Sequence, residues 1–99
     1  MAIQLMVTIN SNSPSPATFS PNPLQANTLD QIFWMNSDPN DPHWPGLLKA
    51  DGTINKTFFM PNQIAPGGDT SPIFSASTAA TLNYACSLHQ NETGVLSIT

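Results

Sequence analysis

The chain has 99 residues, 39% apolar and only 8% charged, with two Lys, six acidic groups and a net charge of -4. That length suits one domain with one core, residues 1–99, and leaves no room for a second. Without a basic footprint to neutralise phosphates, nucleic acid is excluded as a partner, and no apolar run reaches the roughly 20 residues of a membrane span.

The sequence enters a strand pattern directly after its first residues. Ile3, Leu5, Val7 and Ile9 alternate in IQLMVTI, the period of a half-buried strand. Two expectations about the compartment follow. The protein starts there and stays in the cytoplasm, or it is the mature form of a periplasmic or otherwise extracytoplasmic domain whose signal was replaced by Met1 and Ala2. A single cysteine forbids an internal disulfide and does not decide between them.

Pro14, Pro16, Pro21 and Pro23 then deny ladder hydrogen bonds, so residues 10–23 read as extended, edge-like or looping chain anchored by Phe19 and Leu24. QIFWMN, residues 31–36, is apolar on both faces and reads as a central strand buried on each side, with Met35 in its packing. From Ser37 to Lys56 periodicity vanishes among Pro39, Pro42, Pro45 and the Asp51-Gly52 turn signal, which suggests a long surface excursion carrying His43 and Trp44. Residues 57–60 suggest a short strand. The Pro66-Gly67-Gly68 turn leads to another near residues 71–75. TLNYAC (81–86) and GVLSIT (94–99) are two further strands, with Leu82, Tyr84 and Cys86 on one face of the first and Leu96 and Ile98 inward on the second. Several short strands with Pro, Gly, Asn and Asp turns, and no capped helical stripe, give an all-β fold, a Greek-key β-sandwich.

Cys86, His89 and Glu92 stand three residues apart, in a chain with one Cys, two His and one Glu. One thiolate and two imidazoles suffice for a mononuclear copper site. The soft thiolate suits Cu(I), imidazoles suit both oxidation states, and a trigonal His2Cys set with a weak fourth ligand is an electron-transfer geometry. Zinc sites ordinarily have more cysteines or a spaced histidine pair. Taken singly, a buried Cys is usually a small hydrophobe and C-x-x-H is a weak signal; the joint pattern carries the reading.

Pro42-His43 after the strand IFWMN, and YACSLH (84–89) before a Gly-started final strand, resemble the copper motifs of the cupredoxins, the plastocyanin, amicyanin and azurin group. FSPNPLQANTLDQIFWMN (19–36) and IAPGGDTSPIF (64–74) extend the likeness over most of the chain. The resemblance implies a cupredoxin-like sandwich holding one copper ion through His43, Cys86 and His89. In the shortest ligand loop of that family, the amicyanin form, the axial Met falls three residues after the second His, where this chain has Glu92. In the longer plastocyanin form the position is Gly94, which has no side chain to offer.

Two readings of Glu92 stay open. A ligating carboxylate would favour Cu(II), lower the potential and weaken the copper–thiolate bond, giving a green or red site. A solvent-facing Glu92 would leave the axial place to water, a backbone carbonyl or nothing. Met60 and Met35 compete for it. The Asn that commonly follows the first His in the family is replaced by Trp44, and Pro45 should interrupt any strand, while Ser87 keeps the usual small polar character beside the thiolate.

The function these readings imply is electron transfer, not enzymatic turnover. Redox partner proteins would dock near His89, framed by Leu88, Gln90 and Trp44, by apolar contact more than by charge. The alternative is a copper-handling or small-ligand-binding module with an exchangeable axial site. A fold that has lost its copper is a third possibility.

Overall fold

A computed structural model describes residues 3–99. They form nine strands and no helix: β1 (Gln4–Asn12), β2 (Ser15–Ser20), β3 (Leu24–Ala26), β4 (Gln31–Asn36), β5 (Pro45–Leu48), β6 (Ile54–Asn55), β7 (Asp69–Thr70), β8 (Ala80–Cys86) and β9 (Thr93–Ile98). They make two sheets, ordered β2-β1-β4-β7 and β3-β9-β8-β5-β6. The all-β sandwich expected from the sequence is the architecture that forms.

β1 runs parallel to β4, with Leu5 opposite Ile32 and Val7 opposite Trp34, and antiparallel to β2. Val7, Ile9, Ile32 and Trp34 face the second sheet and are almost fully buried, where they meet Tyr84, Leu96 and Ile98. Phe19 and Leu24 anchor the proline-rich stretch to this core, 5% and 4% exposed. Three of its bonds, Ser13-Pro14, Ser20-Pro21 and Asn22-Pro23, are cis. At the centre the Tyr84 ring stands edge-on to Phe19 at 4.9 Å and to Trp34 at 5.4 Å, contacts that contribute about 0.5–1.5 kcal/mol each beyond burial. Tyr84 lies opposite Gly94 on β9, and its ring covers that position so closely that a Cβ there would overlap it. The Gly that starts the last strand is therefore a packing requirement.

Several expectations need correction. Ile3, at the start of the first alternation, is exposed, because the inward face begins to be covered only at Leu5. β4 is buried on one face only. Ile32, Trp34 and Asn36 point in, while Phe33 and Met35 are half-buried on the outer face of the sheet, so Met35 is not core packing. Residues 57–60 form a turn, yet Phe59 and Met60 are buried in the core. Residues 71–75 make only an isolated bridge, Phe74 to Ile32, with Pro72 unable to donate.

The largest revision concerns residues 37–56. This stretch is no surface excursion. It delivers β5, which pairs with β8 in the register Pro45–Cys86, Gly46–Ala85, Leu47–Tyr84, and then β6. Pro45 does not interrupt β5 because it is the strand's first residue, a place where a missing N–H is tolerated.

Candidate metal centre

β8 ends at Cys86 with its side chain inward and completely buried. The chain then turns tightly. His89 N–H donates to the Cys86 carbonyl, Glu92 N–H to the His89 carbonyl, and Cys86 N–H to the Glu92 carbonyl, which closes the loop at the top of β8 and β9. The β5–β8 register sets the other side of the site. It places His43, two residues before Pro45, over the same end of the sandwich, held by a two-way backbone bridge to Ile64.

These elements bring together all four residues singled out in the sequence. One donor atom from each of His43, Cys86, His89 and Glu92 lies within 4.8 Å of the others. Cys86 Sγ is 3.8 Å from His43 Nδ1 and 3.6 Å from His89 Nδ1. Glu92 Oε1 is 2.8 Å from His43 Nδ1 and 3.4 Å from His89 Nδ1. With edges of this size, a point equidistant from Sγ and the two Nδ1 atoms lies about 2.0–2.4 Å from each, which spans metal–imidazole and metal–thiolate bond lengths. The donor triangle has the right size for a single first-row metal ion.

Glu92 does not face solvent. It is 5% exposed, and its second oxygen, Oε2, accepts the Ala17 N–H of β2 at 2.8 Å, which leaves Oε1 directed at the imidazoles. Met60, a competitor for the fourth position, is 2% exposed within the hydrophobic core.

The electrostatics favour a thiolate. Burial pushes the Cys86 thiol up, but hydrogen bonds from His43, from the Trp44 and Leu88 N–H groups and from His89 bring it below its ordinary value. Burial likewise pushes His43 down, yet its contacts with Cys86 and Asp38 and the nearby Glu92 charge raise it to about 9. Without a metal, His43 is thus an imidazolium clamped between two carboxylates, Glu92 on Nδ1 and Asp38 on Nε2 at 3.0 Å.

Trp44 packs half-buried against the core with Lys56 over its ring, 5.1 Å from the centroid. Its backbone ties the two donor-bearing segments together. The N–H donates to Cys86 Sγ at 3.3 Å, and the carbonyl accepts from Ser87 N–H. The tie between the two segments is thus made by the Trp44 main chain and not by its side chain.

Two other residues escaped the sequence reading. Asp38, 3% exposed, accepts from the Asn40 and Asp41 N–H groups through Oδ1 while Oδ2 meets His43. Asn36, fully buried, donates to the carbonyls of Asp41, Ile64 and Ala65 and accepts the Asp38 N–H. The available signal was Asn-Ser-Asp-Pro-Asn-Asp itself, a run of side chains that cap local backbone, placed just before His43. A cleft of about 400 Å³ opens beside the site, lined by residues 11–17, Asp38, Asp41 and residues 89–92.

No protein-family model matches the chain, and no curated protein matches it in sequence. Solved structures do match in fold. A purple cupredoxin from Nitrosopumilus maritimus is 20% identical with a TM-score of 0.79, covering 95% of this chain and 98% of that one. Amicyanin from Paracoccus versutus is 14% identical with a TM-score of 0.71, covering 97% and 81%. A reduced Cu(I) form of an amicyanin mutant at pH 4 is 16% identical with a TM-score of 0.70, covering 99% and 82%. The chain has the cupredoxin fold.

Proposed function

We propose that this chain, a single cupredoxin-type domain over residues 1–99, binds one copper ion through His43, Cys86 and His89, with Glu92 at the axial position, and carries single electrons between redox partners. The observation that carries the reading is the convergence of a thiol of lowered pKa, two imidazole nitrogens and one carboxylate oxygen in a four-donor cluster sized for one ion. Copper held there supplies a one-electron couple between Cu(I) and Cu(II).

The chain's own residues divide the work. Cys86 offers the soft donor and takes the Trp44 N–H, which disperses charge on its sulfur. His43 is 1% exposed and fixed at both nitrogens. His89 has a side chain 40% exposed, so it can meet a partner while Nδ1 faces the site, and Leu88 beside it is 43% exposed. Glu92, held by Ala17 N–H, directs a hard anionic oxygen that favours Cu(II) over Cu(I). Electron carriage outside the cytoplasm is the role we assign.

The cleft beside Glu92 and His89 favours a second reading, a copper-handling or small-ligand-binding site with an exchangeable axial position. Azide or nitric oxide separates the two: an unchanged spectrum supports the carrier, a changed one the exchangeable site. The primary test is copper stoichiometry with voltammetry. The expected result is one copper per chain with a reversible one-electron couple. Copper bound in no fixed ratio, or irreversible reduction, would sink the proposal.

A further inference from the structure

We propose that Asp38 is a positioning residue of this centre, making His43 the stronger imidazole donor and biasing the site toward Cu(II); this rests on the copper reading above. Carboxylates are rarely buried without a partner, and Asp38, 3% exposed, has its partners arranged on two sides. From behind, Oδ1 is occupied by the Asn40 and Asp41 N–H groups, and the Asp38 N–H is held by buried Asn36. In front, Oδ2 lies 3.0 Å from His43 Nε2.

When Nδ1 binds metal, the remaining imidazole proton sits on Nε2 and can only be donated. Asp38 is the acceptor in place. A carboxylate on the far nitrogen fixes the ring orientation and raises its basicity, an outer contact whose loss typically weakens metal binding about 10–100-fold. The negative charge also stabilises the more highly charged ion. His89 has no corresponding carboxylate: among the described residues its side-chain polar contacts are through Nδ1, to Cys86 and Glu92. The two imidazoles of the site are therefore chemically unequal, and Asp38 is the cause.

The test compares Asp38→Asn, which removes the charge, with Asp38→Glu, which keeps it. In Asp38→Asn the Cu(II) dissociation constant should rise about 10–100-fold with Cu(I) affinity held. The potential then rises by about 59–118 mV, at about 59 mV per tenfold for one electron. Asp38→Glu should return toward the parent potential, a recovery that a purely structural role would not produce. An Asp38→Asn protein with the parent's potential and Cu(II) affinity overturns the proposal. A measurement on the unaltered protein covers the case in which the variants do not fold. In the Cu(I)-loaded parent, the His43 Nε2–H should give a downfield, exchange-protected proton resonance, and a rapidly exchanging one refutes the bond. A parent that forms no copper–thiolate centre instead defeats the copper reading, and this inference falls with it.

Discussion

Between Asn36 and Trp44 the chain forms no extended strand, yet nearly every polar group that matters is caught. Asn36 makes three side-chain donations, Asp38 caps two N–H groups, and His43 is bonded at both ring nitrogens and through a backbone bridge. Between Cys86 and Glu92 the loop is held mainly by its own short backbone bonds, and His89, Gln90 and Asn91 look outward. One segment anchors a donor deep in the protein; the other lifts a donor to the surface. In the proposed electron carrier the well-bonded side would limit rearrangement between oxidation states and the exposed side would shorten the path to a partner.

The widest gap between the two segments should appear on removing each histidine. His43→Ala leaves Asp38 and Glu92 buried without their cation, and should destabilise the metal-free protein by about 3–5 kcal/mol. His89→Ala, at a partly exposed and screened contact, should cost less than about 1 kcal/mol. Urea unfolding of the two metal-free variants checks this, and equal losses would break the comparison.

The same clamp sets a pH dependence. The folded-state pKa of His43 is raised from 6.5 to about 9. Its contribution is therefore fully present below pH 6.5 and lost as pH rises through 9, by on the order of 3 kcal/mol. Metal-free unfolding should show this decline in the parent and not in His43→Ala. Because binding at Nδ1 must displace that proton, copper uptake at neutral pH should release protons into solution.

The smallest effect belongs to the exposed segment. Leu88, Gln90 and Asn91 carry no charge around His89, so electron-transfer association should change less than about threefold with salt, against the ten- to thousandfold of steered encounters. Stopped-flow rates across ionic strength measure it directly, and a steep fall would place the docking face on the acidic groups instead.

What could be read from the residues follows the same division. β1, β4, β8 and β9 announce themselves because alternation with one buried face leaves a period of two, and Cys86 and His89 lie on that pattern's end. The Asn36–Trp44 segment is opaque because its order comes from Asn and Asp side chains capping backbone, which leaves no periodicity and reads as surface loop. His43 was visible as a residue type after a proline, but its partner Asp38 depends on a turn that only the folded chain closes. Glu92 was visible as the residue at the axial step. Its orientation was not, since Ala17, which holds it, is 75 residues away in sequence.

In the proposed centre, Glu92 completes a copper–thiolate site. The measurement that tests it most directly is the visible absorption and electron paramagnetic resonance spectrum of the copper-loaded parent beside Glu92→Met and Cys86→Ala. The expected result is a thiolate-to-copper band in the parent, a shift toward an intensely blue spectrum in Glu92→Met, and no such band in Cys86→Ala. Coincident spectra for the parent and Glu92→Met would contradict axial ligation by Glu92, and a band that survives Cys86→Ala would contradict the centre itself.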